Sequence, residues 1–220
     1  MNAAAIGVAV LIGAAAPVRA QPAPAGRFAV AIGPAWFGGT TMAGLAVTET
    51  QSNGTPTTVF DLSRELASAV GLDARLAIRI APHLDVEATA SYARPQLHVT
   101  ASNDVEGAAG ATASESLREF TVGGGATWFF RRDGAVRTRP FVTGGVAYAR
   151  QLHQTGTLAD SGRIVDAGAG VQQVLRFGAG RVKAIGVRGE IRARVRPAAL
   201  AVDARTHVVP LAAASLFVRF

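Results

Sequence analysis

Four histidines, His83, His98, His153 and His207, are the side chains of this chain best suited to proton transfer or metal ligation. Their surroundings match no catalytic spacing, since the sequence contains neither a His-x-Ser pair nor a Gly-x-Ser-x-Gly turn. Cysteine is absent, which excludes a thiolate metal site, a cysteine nucleophile and a lipid-modified cysteine anchor. Gly168-Ala169-Gly170 and Gly178-Ala179-Gly180 are fragments of a dinucleotide loop, but no helical pattern follows either of them. No catalytic residue, metal site or cofactor is expected on these grounds.

The charged residues are the more informative set. In Ile185 to Arg196 the odd positions are apolar or small, and the even positions carry Arg188, Glu190, Arg192, Arg194 and Arg196. A helix would spread that spacing around its whole circumference; a strand collects it on one face. Leu72 to Ile80 alternates in the same way, with Asp73, Arg75 and Arg79 on its polar side. After the short turn Ala81-Pro82-His83, Leu84 to Tyr92 does so again with Asp85 and Glu87. Folding the two together sets Arg79 beside Asp85, with Arg75 and Glu87 further along, so opposite charges face each other. Arg75, Arg79, Asp85, Glu87, Arg188, Glu190, Arg192 and Arg194 are therefore expected to form one charge network.

Other stretches repeat the period of two: Phe28 to Phe37, Leu117 to Phe130, Pro140 to Leu152, Ile164 to Leu175 and His207 to Phe220. Gly144-Gly145 suggests a bulge in the third of these. The connectors after Ile80, Phe130 and Leu175 are short. Those around 38–71, 101–116, 153–163 and 197–206 are longer and rich in Gly, Ser, Thr, Asp and Asn. Ser52-Asn53-Gly54 marks a hairpin tip, and the flanking strands should extend past the barrel there. Counting Thr57 to Phe60 as a separate strand gives ten instead of eight.

Alternation does not say which face is inside. A soluble lipocalin-like barrel, with an apolar ligand cavity, is the alternative. Three features favour an apolar exterior. The polar face mixes Arg and Glu with Gly, Ala, Ser and Thr, and the chain has a single lysine, Lys183. Aromatics bracket the strands in a pattern that fits two girdles: Phe28, Trp36, Tyr92, Phe120, Trp128, Phe130, Phe141 and Tyr148. Leu216, Val218 and Phe220 share one face of an alternating strand that ends on an aromatic residue. In these features residues 27–220 resemble the small OmpA/OmpX-like outer-membrane β-barrels.

The resemblance implies an all-β fold, an antiparallel up-and-down transmembrane barrel of about eight strands. It implies a bacterial outer-membrane location, with outer-membrane lipid and lipopolysaccharide as neighbours. It makes Leu216, Val218 and Phe220 an assembly signal for the barrel-assembly machinery. A monomer with a structural or surface-interaction role is expected, its lumen filled by ion pairs. A narrow anion-preferring pore and a rim-located lipid-modifying enzyme are the alternatives within that family, since its enzymes keep His and Ser near one rim.

Composition agrees. Hydrophobic residues make up 49% and charged residues 17%, against about 25% charged in soluble domains. The formal charge of +7 is scattered along the chain without a Lys/Arg run, so nucleic acid is not an expected partner. Residues 1–20, an apolar run ending in Val18-Arg19-Ala20, read as a cleaved signal peptide, and 21–26 as a short linker.

Overall fold

The computed structural model describes residues 26–50, 52, 54–103, 110–131, 137–154, 159–178, 180–196 and 206–220. Residues 1–25, which hold the expected signal peptide and most of the linker, lie outside them, as does Asn53.

Among the described residues the chain is all strand: β1 (Phe28–Phe37), β2 (Thr40–Thr50), β3 (Pro56–Leu66), β4 (Ala69–Ala81), β5 (Leu84–Ala93), β6 (Gln96–Ser102), β7 (Ala111–Ser116), β8 (Arg118–Phe129), β9 (Thr138–Leu152), β10 (Ala159–Phe177), β11 (Ala184–Arg196) and β12 (His207–Arg219). Eight of them close an antiparallel barrel in the order β1-β12-β11-β10-β9-β8-β5-β4. Sequence neighbours pair throughout, and β1 meets β12 to close the ring, with Ala29 opposite Arg219 and Phe37 opposite Leu211. Phe220 then donates its N–H to the Phe28 carbonyl at 2.8 Å, carrying the seam one step past β12.

The remaining four strands form a second sheet, β2-β3-β6-β7, above one rim. The polar stretches 38–71 and 101–116, read from sequence as long loops, are in large part strands. β2 and β3 prolong β1 and β4 after short breaks, and β6 and β7 prolong β5 and β8 in the same manner. Met42, Leu66, Leu97 and Leu117 form a buried cluster where this sheet leaves the barrel. That cluster gives Thr- and Ser-rich segments an apolar anchor. Gly54 takes the left-handed φ of +81° at the β2–β3 tip, a conformation glycine adopts without penalty.

No bulge occurs at Gly144-Gly145. The β9 register runs unbroken through both residues, to Ala126 and Gly125 on one side and Ala167 and Asp166 on the other. These glycines serve close approach instead: a Cβ at Gly145 would stand 2.7 Å from the Gly124 carbonyl oxygen. The register shifts of the barrel fall between Arg79 and Ala81 and between Val174 and Arg176, both next to the short-turn rim.

The period of two becomes an inside and an outside. Along β11 buried and exposed positions alternate without exception, from Ala184 to Arg196. Val70, Leu72, Val122, Val146, Ile191 and Leu216 are among many large apolar side chains on the outer wall. An exposed apolar surface of this extent has no place in water. In lipid it is the required exterior, and closure leaves no strand edge unpaired. Phe120 and Trp128 on β8 are eight residues apart, about 27 Å of strand, which a tilt of roughly 40° reduces to about 20 Å of apolar band.

Ile191 lies near the middle of that band and is 67% exposed. Ile191→Arg is expected to lower the unfolding free energy in lipid vesicles by about 2–4 kcal/mol, measured by urea titration. The same replacement at Leu45, on the extramembrane sheet, is expected to have much less effect.

Candidate functional site

The lumen holds the charges. Within it lie Arg75, Arg79, Arg139, Arg188, Arg192, Arg194, Arg196 and Arg219, facing Asp73, Asp85, Glu87, Glu119, Asp166 and Glu190. Parity places each of them, because the inward phase of every strand is fixed once its apolar residues face outward.

The middle layer spans the barrel. β5 and β11 lie four places apart in a ring of eight, so they face each other across its diameter. Arg188 on β11 reaches Glu87 on β5 at 2.6 Å and donates to Thr127 Oγ1 at 3.3 Å. Arg75 on β4 donates to Glu87 at 2.9 Å and also pairs with Glu190 of β11 and Asp73 of its own strand. Arg192 closes the group on Asp73 at 2.9 Å. These groups are almost wholly buried, so each charge depends on its partners.

The layers above and below are built differently. Toward the short-turn rim, Arg79 meets Asp85 at 2.9 Å, and Arg219 stands 3.7 Å from the same carboxylate. Phe rings carry part of the load there: Arg139 lies 3.9 Å from the Phe129 centroid and Arg188 lies 4.2 Å from that of Phe141. Toward the opposite rim, Arg196 and Gln151 both donate to Glu119, at 2.6 and 2.7 Å. Arg194 is held more loosely, 3.8 Å from Glu119 and 3.7 Å from Asp166.

The eight residues expected to form a charge network thus all face the lumen. Asp73, Glu119, Arg139, Asp166, Arg196 and Arg219 join them there. Parity of Asp73 with Arg75, Glu119 with Thr121, Asp166 with Gln172, Arg196 with Arg192 and Arg219 with Phe217 was the available signal, whereas Arg139 shares the phase of Phe141, which the girdle pattern sets outside. The aromatics form two outward bands. Trp36, Tyr92, Phe120 and Tyr148 lie toward the second sheet, with Tyr92 and Phe120 rings 4.9 Å apart. Phe28, Trp128, Phe130 and Phe220 lie toward the short turns. Phe141 does not belong to either band. It is 1% exposed, packs on Phe129 at 5.5 Å and points inward, because it stands an odd number of residues from outward Tyr148. Leu216, Val218 and Phe220 lie on the outward phase of β12 and the residue after it.

The histidines are dispersed. His83 stacks on Trp128 at the short-turn rim. His98 lies 2.8 Å from Ser114 Oγ on the open face of the second sheet. His207 lies 3.3 Å from Thr40 Oγ1. His153 bridges the sheet to the barrel mouth: Nδ1 faces Glu115 of β7 at 3.0 Å and Nε2 faces Asp160 of β10 at 3.1 Å. Its neighbour Gln154 donates its backbone N–H to the other Glu115 oxygen. Among the described residues no His, Asp and Glu cluster is arranged to hold a metal.

The chain matches no protein-family profile and no curated protein in sequence. In structure it is similar to the outer membrane protein OprG from Pseudomonas aeruginosa, with a TM-score of 0.54 at 11% identity over 89% of this chain and 96% of that one. It is also similar to Neisserial surface protein A, with a TM-score of 0.52 at 12% identity over 88% of this chain and 97% of that one. The chain has the fold of the small eight-stranded outer-membrane β-barrels. At such identities the likeness speaks for the fold and leaves the activity to this barrel's own side chains.

Two predictions follow from these layers. Glu87→Ala takes away one of the two carboxylates that Arg75 and Arg188 share, leaving them on Glu190, and is expected to cost about 3 kcal/mol in denaturant unfolding from vesicles. Adding Arg188→Ala is expected to return part of that loss, read as a double-mutant coupling. At the mouth, the hydrogen bond to Glu115, then that to Asp160, raises the His153 pKa above the ordinary histidine value. The same bond and that from Gln154 hold Glu115 below the usual carboxylate range. The bridge is thus fully present below the ordinary histidine pKa and weakens as pH rises through the raised one; Glu115's share is present above the ordinary carboxylate pKa and fades as pH falls through its lowered one. NMR titration of the His153 ring should give a midpoint above the ordinary histidine value, and Glu115→Gln should bring it down.

Proposed function

We propose that this chain is an outer-membrane barrel protein with a structural, surface-presenting role and a lumen closed by ion pairs. The observation that carries this reading is the inverted barrel, apolar and girdled with aromatics outside, charged and cross-linked inside. A water-soluble barrel of this layout would expose its apolar wall and bury its arginines, at a cost in both directions. An eight-stranded lumen is only wide enough to be filled by side chains, and the Arg188–Glu87 contact bridges its diameter. The names of the two structural neighbours accord with the same membrane.

In this orientation the short turns and Phe28–Phe220 seam face the periplasm, and the β2-β3-β6-β7 sheet stands outside the cell. Leu216, Val218 and Phe220 are the segment offered to the barrel-assembly machinery. The sheet presents Thr100, Thr112, His98 and Ser114 to the medium, a hydrogen-bonding face for surface contacts. The histidines stand apart from one another on different elements, which favours a non-catalytic role.

A second reading, a narrow anion-preferring pore, draws on one observation. Among the described residues the lumen holds eight arginines against six carboxylates, and Arg194 sits beyond hydrogen-bond distance of both Glu119 and Asp166.

Expressed in a Gram-negative host, the full chain is expected in the outer-membrane fraction, with a gel mobility that shifts on boiling. In planar bilayers the folded protein is expected to show no step conductance. Recovery in the soluble periplasm would overturn the membrane reading, and discrete anion-selective steps would favour the pore.

A further inference from the structure

The lumen accounts for only part of the arginine content. Arg118, Arg150 and Arg163 lie on the outer wall and are exposed. They stand on three consecutive barrel strands, β8, β9 and β10, at the rim that bears the second sheet. Arg150 pairs with Phe120, whereas Arg118 pairs with Leu152, two residues further along β9. Arg163 pairs with Tyr148, two residues before Arg150. Each arginine is therefore the diagonal neighbour of the next, about 7–8 Å away. Arg94, one residue past β5, extends the row beyond Arg118, since Ala93 pairs with Glu119, and its guanidinium lies 5.6 Å from the Tyr92 ring centroid.

No described carboxylate pairs with Arg118, Arg150 or Arg163. The nearby Glu115, Glu119 and Asp160 are engaged on the other side of the wall or with His153. Adjacent like charges repel on a sheet unless an anion lies between them. The row also has a fixed height: Tyr92, Phe120 and Tyr148 lie directly beneath it, followed by Val122 and Val146 of the apolar wall. An anion reaching these guanidinium groups sits where lipid headgroups begin, and its own apolar part would lie against that wall. The planar guanidinium fork suits phosphate, which it can hold through two hydrogen bonds. Placement on regular strands presets the spacing, whereas the basic residues Arg131, Arg137 and Arg181 of the opposite rim lie in or beside turns.

We propose that Arg118, Arg150 and Arg163, with Arg94 at one end, form a binding site for the phosphate groups of an anionic glycolipid in the outer leaflet, such as lipopolysaccharide. The site rests on the membrane placement proposed above. It gives the barrel one preferred lipid-bound side, across β5-β8-β9-β10.

The test uses the full folded protein in detergent micelles, with native mass spectrometry or a fluorescence titration as readout. The probes are bis-phosphorylated lipid A, the same lipid with its phosphates removed, inorganic phosphate and a soluble sulfated polysaccharide. The wild type is expected to retain the phosphorylated lipid. Arg118→Gln, Arg150→Gln and Arg163→Gln combined should weaken that binding by roughly tenfold or more, the scale set by loss of charge-assisted hydrogen bonds. Arg176→Gln, at the opposite rim, should leave it unchanged. Equal binding by the triple variant, or of the dephosphorylated lipid, would overturn the site. Displacement by inorganic phosphate or the polysaccharide at concentrations comparable to the lipid would reassign the row to a soluble anion and overturn it too. Mobility shift on boiling shows whether each variant is folded. A wild type that is heat-modifiable and outer-membrane-located yet indifferent to lipid phosphate sinks the site alone; a soluble wild type sinks both.

Discussion

Backbone pairing is the constraint from which this architecture follows. A strand that enters hydrocarbon can leave no N–H or C=O without a partner, because no water is there to take its place. β1 and β12, the outermost strands in sequence, must therefore find each other, and the ladder from Ala29–Arg219 to Phe37–Leu211 is the outcome. The ladder skips Gly33 and Pro34, where proline has no N–H to give. Closure by Phe220 on Phe28 makes the ring complete, and completeness permits an apolar wall with no edge to protect.

Closure also decides the inside. Eight strands leave a narrow lumen, and every inward side chain must be satisfied by others within it. Apolar filling is used at the ends, where Phe217 packs with Ala31 and Val174, and Phe37 with Ala35 and Leu211. The middle is filled by ions whose partners come from opposite strands. Gly168 and Gly170 of β10 make room for that layer: a Cβ at Gly168 would meet the Arg192 Cγ at 2.5 Å, and one at Gly170 would meet Phe141 at 2.5 Å and the Glu190 Cβ at 2.8 Å. Small residues and large charged ones are thus two halves of one packing solution.

The hairpin of β4 and β5 was legible in the sequence down to its pairing, because Arg79 and Asp85 flank a short turn and the strands alternate strictly. β11 was legible for the same reason. The cross-barrel partners were not, since Arg188 and Glu87 meet only after the order of all eight strands is fixed. Phe141 was misplaced because a spacing of seven looks like a membrane thickness but reverses the face, whereas the spacing of eight between Phe28 and Trp36, or Phe120 and Trp128, preserves it. β6 and β7 escaped notice because Ser, Thr and Ala dominate them, and their apolar anchor is shared with Met42 and Leu66 from a distant part of the chain. The arginine row on the outer rim is visible only in register, since its members come from three strands.

The second sheet grows from β1, β4, β5 and β8 alone, one contiguous half of the ring. The cylinder consequently has a front and a back. Anything gliding along the membrane toward that half of the mouth meets a wall of strand. Rotation about the barrel axis, immaterial for a plain tube, becomes a coordinate that neighbours in a crowded leaflet can sense.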